Sequence, residues 1–223
     1  MSIADQIIYE DNHLIALNKL PGQIVQGDKT GDVPLSELVK DFIKQRDNKP
    51  GNVFCGVIHR LDRPVSGVCI FAKTSKALSR MNELVKSRDF HKTYHAVVKD
   101  IPSMPEGTLE DYLVRNEKQN KSFVTQNSKT EGAKLAKLDY RLLSTSTGGY
   151  HLLEVNLHTG RHHQIRCQLA HMGCPIKGDL KYGAQRSNPD GSISLHAYQL
   201  QFEHPVRHEI VTITAPDPWN YFE

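Results

Sequence analysis

The apolar positions of the chain recur with two periods, and together they predict more strands than helices. Helical spacing of apolar residues covers 34–46, 75–87 (with Thr74 as N-cap) and 161–172. Short alternating or β-branched runs, typical of strands, occur at 6–9, 13–19, 67–72, 92–98, 108–114, 135–143, 150–157, 193–202 and 209–214. Because the strands do not alternate strictly with helices, the pattern predicts an α+β fold with a mixed, mostly antiparallel sheet flanked by helices.

Nothing in the chain divides it into separate segments. It has 223 residues without an internal repeat, a low-complexity tract or a clear linker, so a single domain over 1–223 is predicted. The polar segment 116–131 is interpreted as a mobile loop or a hairpin arm, and 183–192 as a loop.

The composition favours a cytoplasmic protein. The mean hydropathy is −0.49, and no window approaches the ~18 unbroken apolar residues of a membrane span. The N-terminus carries acids where a secretory signal carries basic residues. Four cysteines are too few for a disulfide scaffold in a chain of this length, and we expect them to be reduced thiols (Cys55, Cys69, Cys167 and Cys174).

The net charge of +3 is uninformative, but its distribution is not. Residues 59–99 hold nine Lys and Arg against three acids, and residues 160–186 hold five against one. Two basic segments on a mildly acidic chain are compatible with one face that meets a polyanion. A basic surface that is merely solvated explains the same charges equally well.

The segment HRLDRPVSG, residues 59–67, places Asp62 between Arg60 and Arg63. Flanking cations favour the ionised carboxylate. Such an aspartate on a loop can act as a nucleophile, a general base or an organiser of a phosphate site. Taken alone, the spacing fits a surface ion pair better, because such pairs are very common.

The second dense segment is 157–171, where Gly160 fits a helix start and Arg161 to His163 would lie in the first turn. Helix N-termini attract anions. Arg161 and Arg166 are five residues apart and would project to different sides. A structural helix with solvated cations is the alternative.

The same region raises the question of a metal. Six potential ligands fall within seventeen positions (His158, His162, His163, Cys167, His171 and Cys174). Neither a CxxC pair nor HExxH occurs, so a zinc-dependent hydrolase is kept only as a minor hypothesis.

A third element is KTYHA, residues 92–96. On a strand, Tyr94 would point one way, and Thr93 and His95 the other. A tyrosine beside a site can stack on a base or transfer a proton, although a lone tyrosine is more often part of the core.

Taken together and in this order, the segments resemble the RluA family of RNA pseudouridine synthases. The resemblance covers nearly the whole chain and rests on five blocks: IIYEDNHLIALNKLPG, HRLDRPVSG, KTYHAVV, HTGRHHQIRCQLAHMGCPIKGDLKYG and LHAYQLQFEHP. The chain departs slightly from the family at Leu20-Pro21, where the proline of the family's Lys-Pro-x-Gly turn is displaced by one position, and at Val65-Ser66, where Thr-Ser is common. It looks like a bare catalytic domain without the N-terminal S4-like domain of some relatives.

The resemblance implies isomerisation of uridine to pseudouridine in RNA, in an active-site cleft across the sheet. It assigns Asp62 as nucleophile or proton acceptor, Tyr94 as the residue that stacks on the base and takes part in proton transfer, and Arg166 as the partner that keeps Asp62 ionised. Arg60 would fill the gap left by the flipped nucleotide.

Further RNA contacts are expected from Arg63, Lys92, Arg161, His162 and Lys181. The resemblance implies no metal, no organic cofactor, no membrane and no obligate protein partner. The expected substrate is a stem-loop of ribosomal or transfer RNA. A non-catalytic RNA-binding protein on the same scaffold is the alternative.

Overall fold

The computed structural model of the protein describes residues 1–220 and 222. Its helices are α1 (Ile3–Gln6), α2 (Leu35–Arg46), α3 (Ser75–Ser87) and α4 (Gln164–His171), with a 3-10 turn at Leu180–Tyr182. Its strands are β1 (Ile7–Glu10), β2 (Leu14–Lys19), β3 (Gly56–Val57), β4 (Ser66–Ala72), β5 (Phe90–Val98), β6 (Glu106–Asn116), β7 (Lys121–Thr125), β8 (Lys134–Thr145), β9 (His151–Leu157), β10 (Leu195–Glu203) and β11 (Ile210–Thr214).

The first of two compact units comprises residues 1–91 and 197–216. Its strands lie in the order β1-β2-β4-β10, with β3 paired to β4 and β11 to β10. All seven residues of β4 are buried, as its unbroken apolar pattern predicts. The helix α3 contributes Ala77 and Met81 to a core shared with Val68 and Ile70 of β4 and Phe202 of β10.

The limits of α3 coincide with those predicted. Thr74 Oγ1 accepts a hydrogen bond from Ala77 N at 3.1 Å, which satisfies one of the first-turn amides. Arg88 ends the helix in the left-handed conformation, at φ +71°.

The second unit comprises residues 92–196 and those from 217 onward. Its strands lie in the order β5-β9-β8-β6-β7 in antiparallel ladders. The segment 116–131 includes a hairpin arm, because β7 pairs with β6 from Asn116↔Lys121 onward. Cys167 of α4 and Tyr182 pack with Leu113 of β6 and Ala136 of β8.

The predicted start of α4 was wrong by several residues. The helix begins at Gln164, and Arg161 to His163 precede it instead of forming its first turn. His163 adopts the left-handed conformation at φ +52°, which interrupts any helix begun earlier. The side chain of Gln164 stabilises this entry, since its Oε1 accepts from Arg161 N at 3.0 Å and from Thr159 Oγ1 at 2.8 Å.

The predicted fold class is confirmed: antiparallel strand ladders with few helices form both units. None of the helices in the described part of the chain has the length and apolar character needed to cross a bilayer. The organisation of 1–223 as one catalytic domain stays a prediction.

Candidate active-site residues

Asp62 lies on a short loop between β3 and β4, in the first unit. The loop turns sharply there, because Val65 N donates to Asp62 O at 3.0 Å. Leu61 and Val65 on either side are buried, at 7% and 2% exposure, whereas Asp62 itself is partly exposed. The loop therefore anchors its apolar residues in the unit, with the partly exposed Asp62 between them.

Lys19 holds the Asp62 loop through its backbone carbonyl groups, a role that the sequence analysis did not predict. The side chain is fully buried, and its Nζ donates to three carbonyl oxygens: Val65 O at 2.6 Å, Leu20 O at 3.0 Å and Arg63 O at 3.2 Å. Gly22 N adds a bond to Arg63 O at 2.8 Å. Burial lowers the pKa of Lys19 to about 8, while the nearby Asp62 charge opposes that shift.

The cations around Asp62 have different surroundings. Arg60 is exposed. The Nη2 of Arg63 donates to Asp32 Oδ2 at 2.6 Å and to Thr30 Oγ1 at 2.8 Å. The neighbouring His59 is buried, and its Nε2 accepts from Ile70 N at 3.2 Å, so it supports the second half of β4.

Tyr94 lies on β5 in the second unit and is 7% exposed. It stands opposite Val155 of β9 in the ladder. Thr93 Oγ1 donates to Asn156 Oδ1 at 2.8 Å, and His95 Nδ1 lies 2.8 Å from Asp217 Oδ2. These partners fit the predicted alternation, in which Thr93 and His95 share the face opposite Tyr94.

Lys92, at the start of the same strand segment, is partly buried, and burial lowers its pKa. A Cβ on Gly160 would lie 3.4 Å from Lys92 Nζ, at the near limit of ordinary van der Waals contact, so the ammonium group lies close to this backbone.

Arg166 lies in the first turn of α4 and is 5% exposed. Its Nε donates to Asp179 Oδ2 at 2.7 Å and its Nη2 to Asp179 Oδ1 at 2.9 Å. Sequence reasoning did not single out Asp179. Asp179 is the one acidic residue in the basic segment 160–186, and this could have indicated a partner for a buried arginine.

The three remaining predicted RNA-binding residues contact β8 or the β6–β7 hairpin. Arg161 Nε donates to Leu135 O at 2.8 Å. The ring of His162 places Nδ1 2.9 Å from Ser122 Oγ and Nε2 3.1 Å from Asn120 Oδ1. Lys181 Nζ donates to Asn120 O at 3.1 Å. All three therefore lie beside the β6–β7 hairpin or the adjacent strand β8 of the second unit.

The histidines and cysteines of 158–174 do not converge. Over residues 1–220 and 222, no three His, Cys, Asp or Glu side chains are placed to hold one metal ion. Three of the six candidates have other contacts: His158 Nε2 lies 2.6 Å from Asp139 Oδ2, His163 Nδ1 3.0 Å from Tyr182 Oη, and Cys167 Sγ 3.3 Å from Ser122 O. These residues do not form a donor set suited to zinc.

Comparison with known proteins identifies the family. The family model described as RNA pseudouridylate synthase matches residues 13–171. A tRNA pseudouridine synthase C from Yersinia pestis is 32% identical over 96% of this chain and 88% of its own length. A ribosomal large subunit pseudouridine synthase D from Xanthomonas campestris pv. campestris is 30% identical over 95% of this chain and 66% of its own.

The fold comparison agrees. The solved structure of human RNA pseudouridylate synthase domain containing 4 superimposes with a TM-score of 0.82 at 23% identity, over 98% of this chain and 91% of that chain. The curated relatives differ in size, and this chain spans from 60% to 92% of their lengths. The chain therefore belongs to the RNA pseudouridylate synthase family, whose enzymes isomerise uridine in RNA.

Proposed function

We propose that the chain converts specific uridines of structured RNA to pseudouridine, with Asp62 as the catalytic carboxylate. The observation that carries this assignment is the loop of Asp62, which holds this partly exposed residue between buried anchors and is hydrogen-bonded to the ammonium group of Lys19. Family membership supplies the reaction, and the match of HRLDRPVSG to a family motif supplies the residue.

The reaction needs no redox partner. The bond from C1′ of the ribose to N1 of uracil breaks, the base rotates, and a bond from C1′ to C5 forms. C5 loses a proton and N1 gains one, so atoms and electrons balance. Asp62 serves either as the nucleophile at the sugar or as the base that assists formation of a glycal.

The base must leave the stack before it can rotate. Extrusion costs a few kcal/mol, which contacts to the RNA backbone and stacking on protein side chains can offset. In this proposal Tyr94 stacks on the base and takes part in proton transfer, Arg166 keeps Asp62 ionised, and Arg60 fills the gap in the RNA. The roles come from the matching motifs.

The proposed partner is an RNA stem-loop, gripped by Arg63, Lys92, Arg161, His162 and Lys181. Transfer RNA is supported by relatives named tRNA pseudouridine synthase C, and ribosomal RNA by one named for the large subunit. The enzyme would act in the cytoplasm, where its RNA substrate is.

The decisive variant is Asp62→Asn, which keeps the size of the side chain and removes its charge. We expect pseudouridine formation to fall to background while RNA affinity stays within about threefold, because positioning contacts to phosphates are retained. Asp41→Asn, which changes an exposed carboxylate on α2, is the matched control. Full turnover by the Asp62 variant would remove this residue from the mechanism.

The substrate is identified by mapping pseudouridines in total RNA from a strain that lacks the protein and from its parent. A site lost from transfer RNA or from ribosomal RNA names the target. If the purified wild-type protein binds that RNA without converting it, the non-catalytic alternative holds instead.

A further inference from the structure

Asp179 fixes the orientation of the Arg166 guanidinium, although the proposed mechanism gives Asp179 no role. The side chain of Arg166 is 6% exposed and that of Asp179 1%, and arginine is seldom buried this far without a partner. Two parallel bonds join them, from Nε to Oδ2 at 2.7 Å and from Nη2 to Oδ1 at 2.9 Å. A bidentate pair of this kind fixes the rotation of the guanidinium within its plane.

The ring of Tyr182 restrains Arg166 in the other direction. The Cζ atom of Arg166 lies 5.1 Å from the centroid of that ring, within cation–π distance. The hydroxyl of Tyr182 is itself anchored, because it accepts from Ser122 N at 2.8 Å and lies 3.0 Å from His163 Nδ1. Ser122 belongs to β7 and His163 precedes α4, so two separate elements brace the ring.

Both restraints come from one closed turn. Asp179 O accepts from Tyr182 N and from Ala184 N, each at 3.0 Å, and Asp179 N donates to Ile176 O at 3.0 Å. The carboxylate and the ring therefore sit on a backbone whose polar groups are satisfied locally. A shift of this turn would move both contacts of Arg166 together.

The geometry points to Asp179 and Tyr182 as positioning residues that fix the guanidinium of Arg166 for catalysis. The inference rests on the proposed function, in which Arg166 acts at the reacting groups. A buried ion pair is weak evidence for stability, since apolar replacements often fold as well. A charged donor held rigidly, however, needs no reorganisation when charge develops in the transition state. The two bonds to Asp179 run from Nε and Nη2, so the pair also sets the direction in which the Nη1 corner points.

The test is a double-mutant cycle between Asp179→Asn and Arg166→Met, with kcat expressed per folded molecule and the folded fraction measured by near-UV circular dichroism. Asp179→Asn should lower kcat by about 100-fold, the effect of misplacing a catalytic group by roughly 1 Å, with RNA affinity within about threefold. In the Arg166→Met background, Asp179→Asn should lower kcat less than threefold, because Asp179 affects catalysis by positioning Arg166. Tyr182→Leu should lower kcat by about tenfold, since it removes the ring but leaves the fork.

Two further variants keep the outcome clear. Glu154→Gln removes a partly exposed carboxylate that pairs with Arg141 at 3.1 Å in the same unit, and it should leave kcat unchanged. Asp179→Glu keeps the charge but displaces the carboxylate by one methylene, and it replaces Asp179→Asn if that variant does not fold. A tenfold or greater loss of kcat by Asp179→Glu supports the inference, and a smaller loss overturns it.

The cycle separates this inference from the proposed function. If Asp62→Asn is inactive and Arg166→Met lowers kcat strongly but measurably, while the folded Asp179 variants turn over within threefold of wild type, Asp179 has no positioning role and the proposed function stands. If Asp179→Asn costs the same factor in both backgrounds, its role is structural. Activity in Asp62→Asn would contradict the proposed function itself.

Discussion

Lys19 shows how a single buried charge can set the shape of a functional loop. An ammonium group without solvent contact is costly unless it is fully hydrogen-bonded, and here three carbonyls supply the partners. Two of them, Arg63 O and Val65 O, lie just beyond Asp62. The conformation of the Asp62 loop therefore depends on a residue more than forty positions earlier.

Titration of Lys19 gives a prediction with a definite sign. Its pKa is lowered from 10.5 to about 8 by burial, so between these values the unfolded chain binds more protons than the folded one. Stability contributed by this group therefore rises with pH across that window. We expect the free energy of unfolding of wild type, minus that of Lys19→Met, to increase between pH 8 and pH 10.5, measured by urea denaturation.

The catalytic rate should fall over the pH range in which the stability contributed by Lys19 rises. A neutral amine has two N–H groups for three carbonyls, so the hydrogen bonds that hold the Asp62 loop weaken as Lys19 loses its proton.

A pH-independent difference in unfolding free energy between wild type and Lys19→Met would contradict the lowered pKa. Lys49→Met, which changes an exposed lysine, is the control for loss of a lysine as such.

Gly67, the last residue of HRLDRPVSG, is required by its backbone and by its neighbour. It lies at φ +110°, and a Cβ there would be 2.3 Å from Ala197 O. No shift of a flexible side chain can relieve a clash with backbone. Gly67→Ala should therefore destabilise the protein by roughly 3 kcal/mol or more, the range of severe core and backbone substitutions, or prevent folding.

Thermal and urea unfolding measure this effect. Gly51→Ala is the matched control, because a Cβ there has nothing within 4 Å and its φ lies outside the left-handed region. Equal stability of the two alanine variants would show that β4 and β10 can separate locally at little cost.

Among the elements, the loop before α2 bears directly on RNA binding. It places Asp32 2.6 Å and Asp28 3.9 Å from Arg63, so two carboxylates face a cation predicted to grip RNA. An RNA phosphate would have to compete with them for the guanidinium. The loop is therefore expected to reduce the affinity of Arg63 for RNA.

Removing both carboxylates should release that competition. We expect Asp28→Asn/Asp32→Asn to bind the substrate RNA about three- to tenfold more tightly. The Arg63 guanidinium becomes available to one RNA phosphate, and two carboxylates no longer repel the RNA. Filter binding at fixed salt measures this. Asp47→Asn, whose carboxylate pairs with Arg46 at 2.8 Å, is the control. An unchanged affinity of the double variant, or the same gain in an Arg63→Ala background, would contradict the interpretation.

Helix and strand limits were predicted well where apolar periodicity continues to the end of the element. The helix at 75–87 and the strand at 67–72 agree with α3 and β4 to within a residue, since burial of one face dictates both. The start of α4 was misplaced because the residues before it have no periodic signal. There the outcome depended on a hydrogen bond from Arg161 N to the side chain of Gln164 and on the left-handed His163.

For the molecule as a whole, the unequal distribution of charge predicts salt-dependent binding to RNA. The helix α3 exposes Lys76, Lys86 and its C-cap Arg88 within the basic segment 59–99. Each phosphate contact releases counterions, so affinity falls steeply with salt in proportion to the number of contacts.

Lys76→Ala/Lys86→Ala should weaken binding similarly for every RNA sequence. It should also reduce the slope of log affinity against log salt by about 1.5, near 0.7–0.9 for each lost contact. Lys29→Ala/Lys44→Ala removes two exposed lysines outside the basic segments and should leave the slope unchanged. Equal slopes for both double variants would show that α3 only faces solvent.

The fold class was predicted from the sequence through the spacing of its apolar residues. The reaction class and the role of the motif around Asp62 were predicted only through short blocks that resemble a known family. The partners of the key side chains were not predicted. Lys19 lies far along the chain from the carbonyls of the Asp62 loop, and Asp179 thirteen residues from Arg166. Buried polar groups must find partners wherever folding brings them, and that pairing depends on distances through space that the linear pattern does not contain.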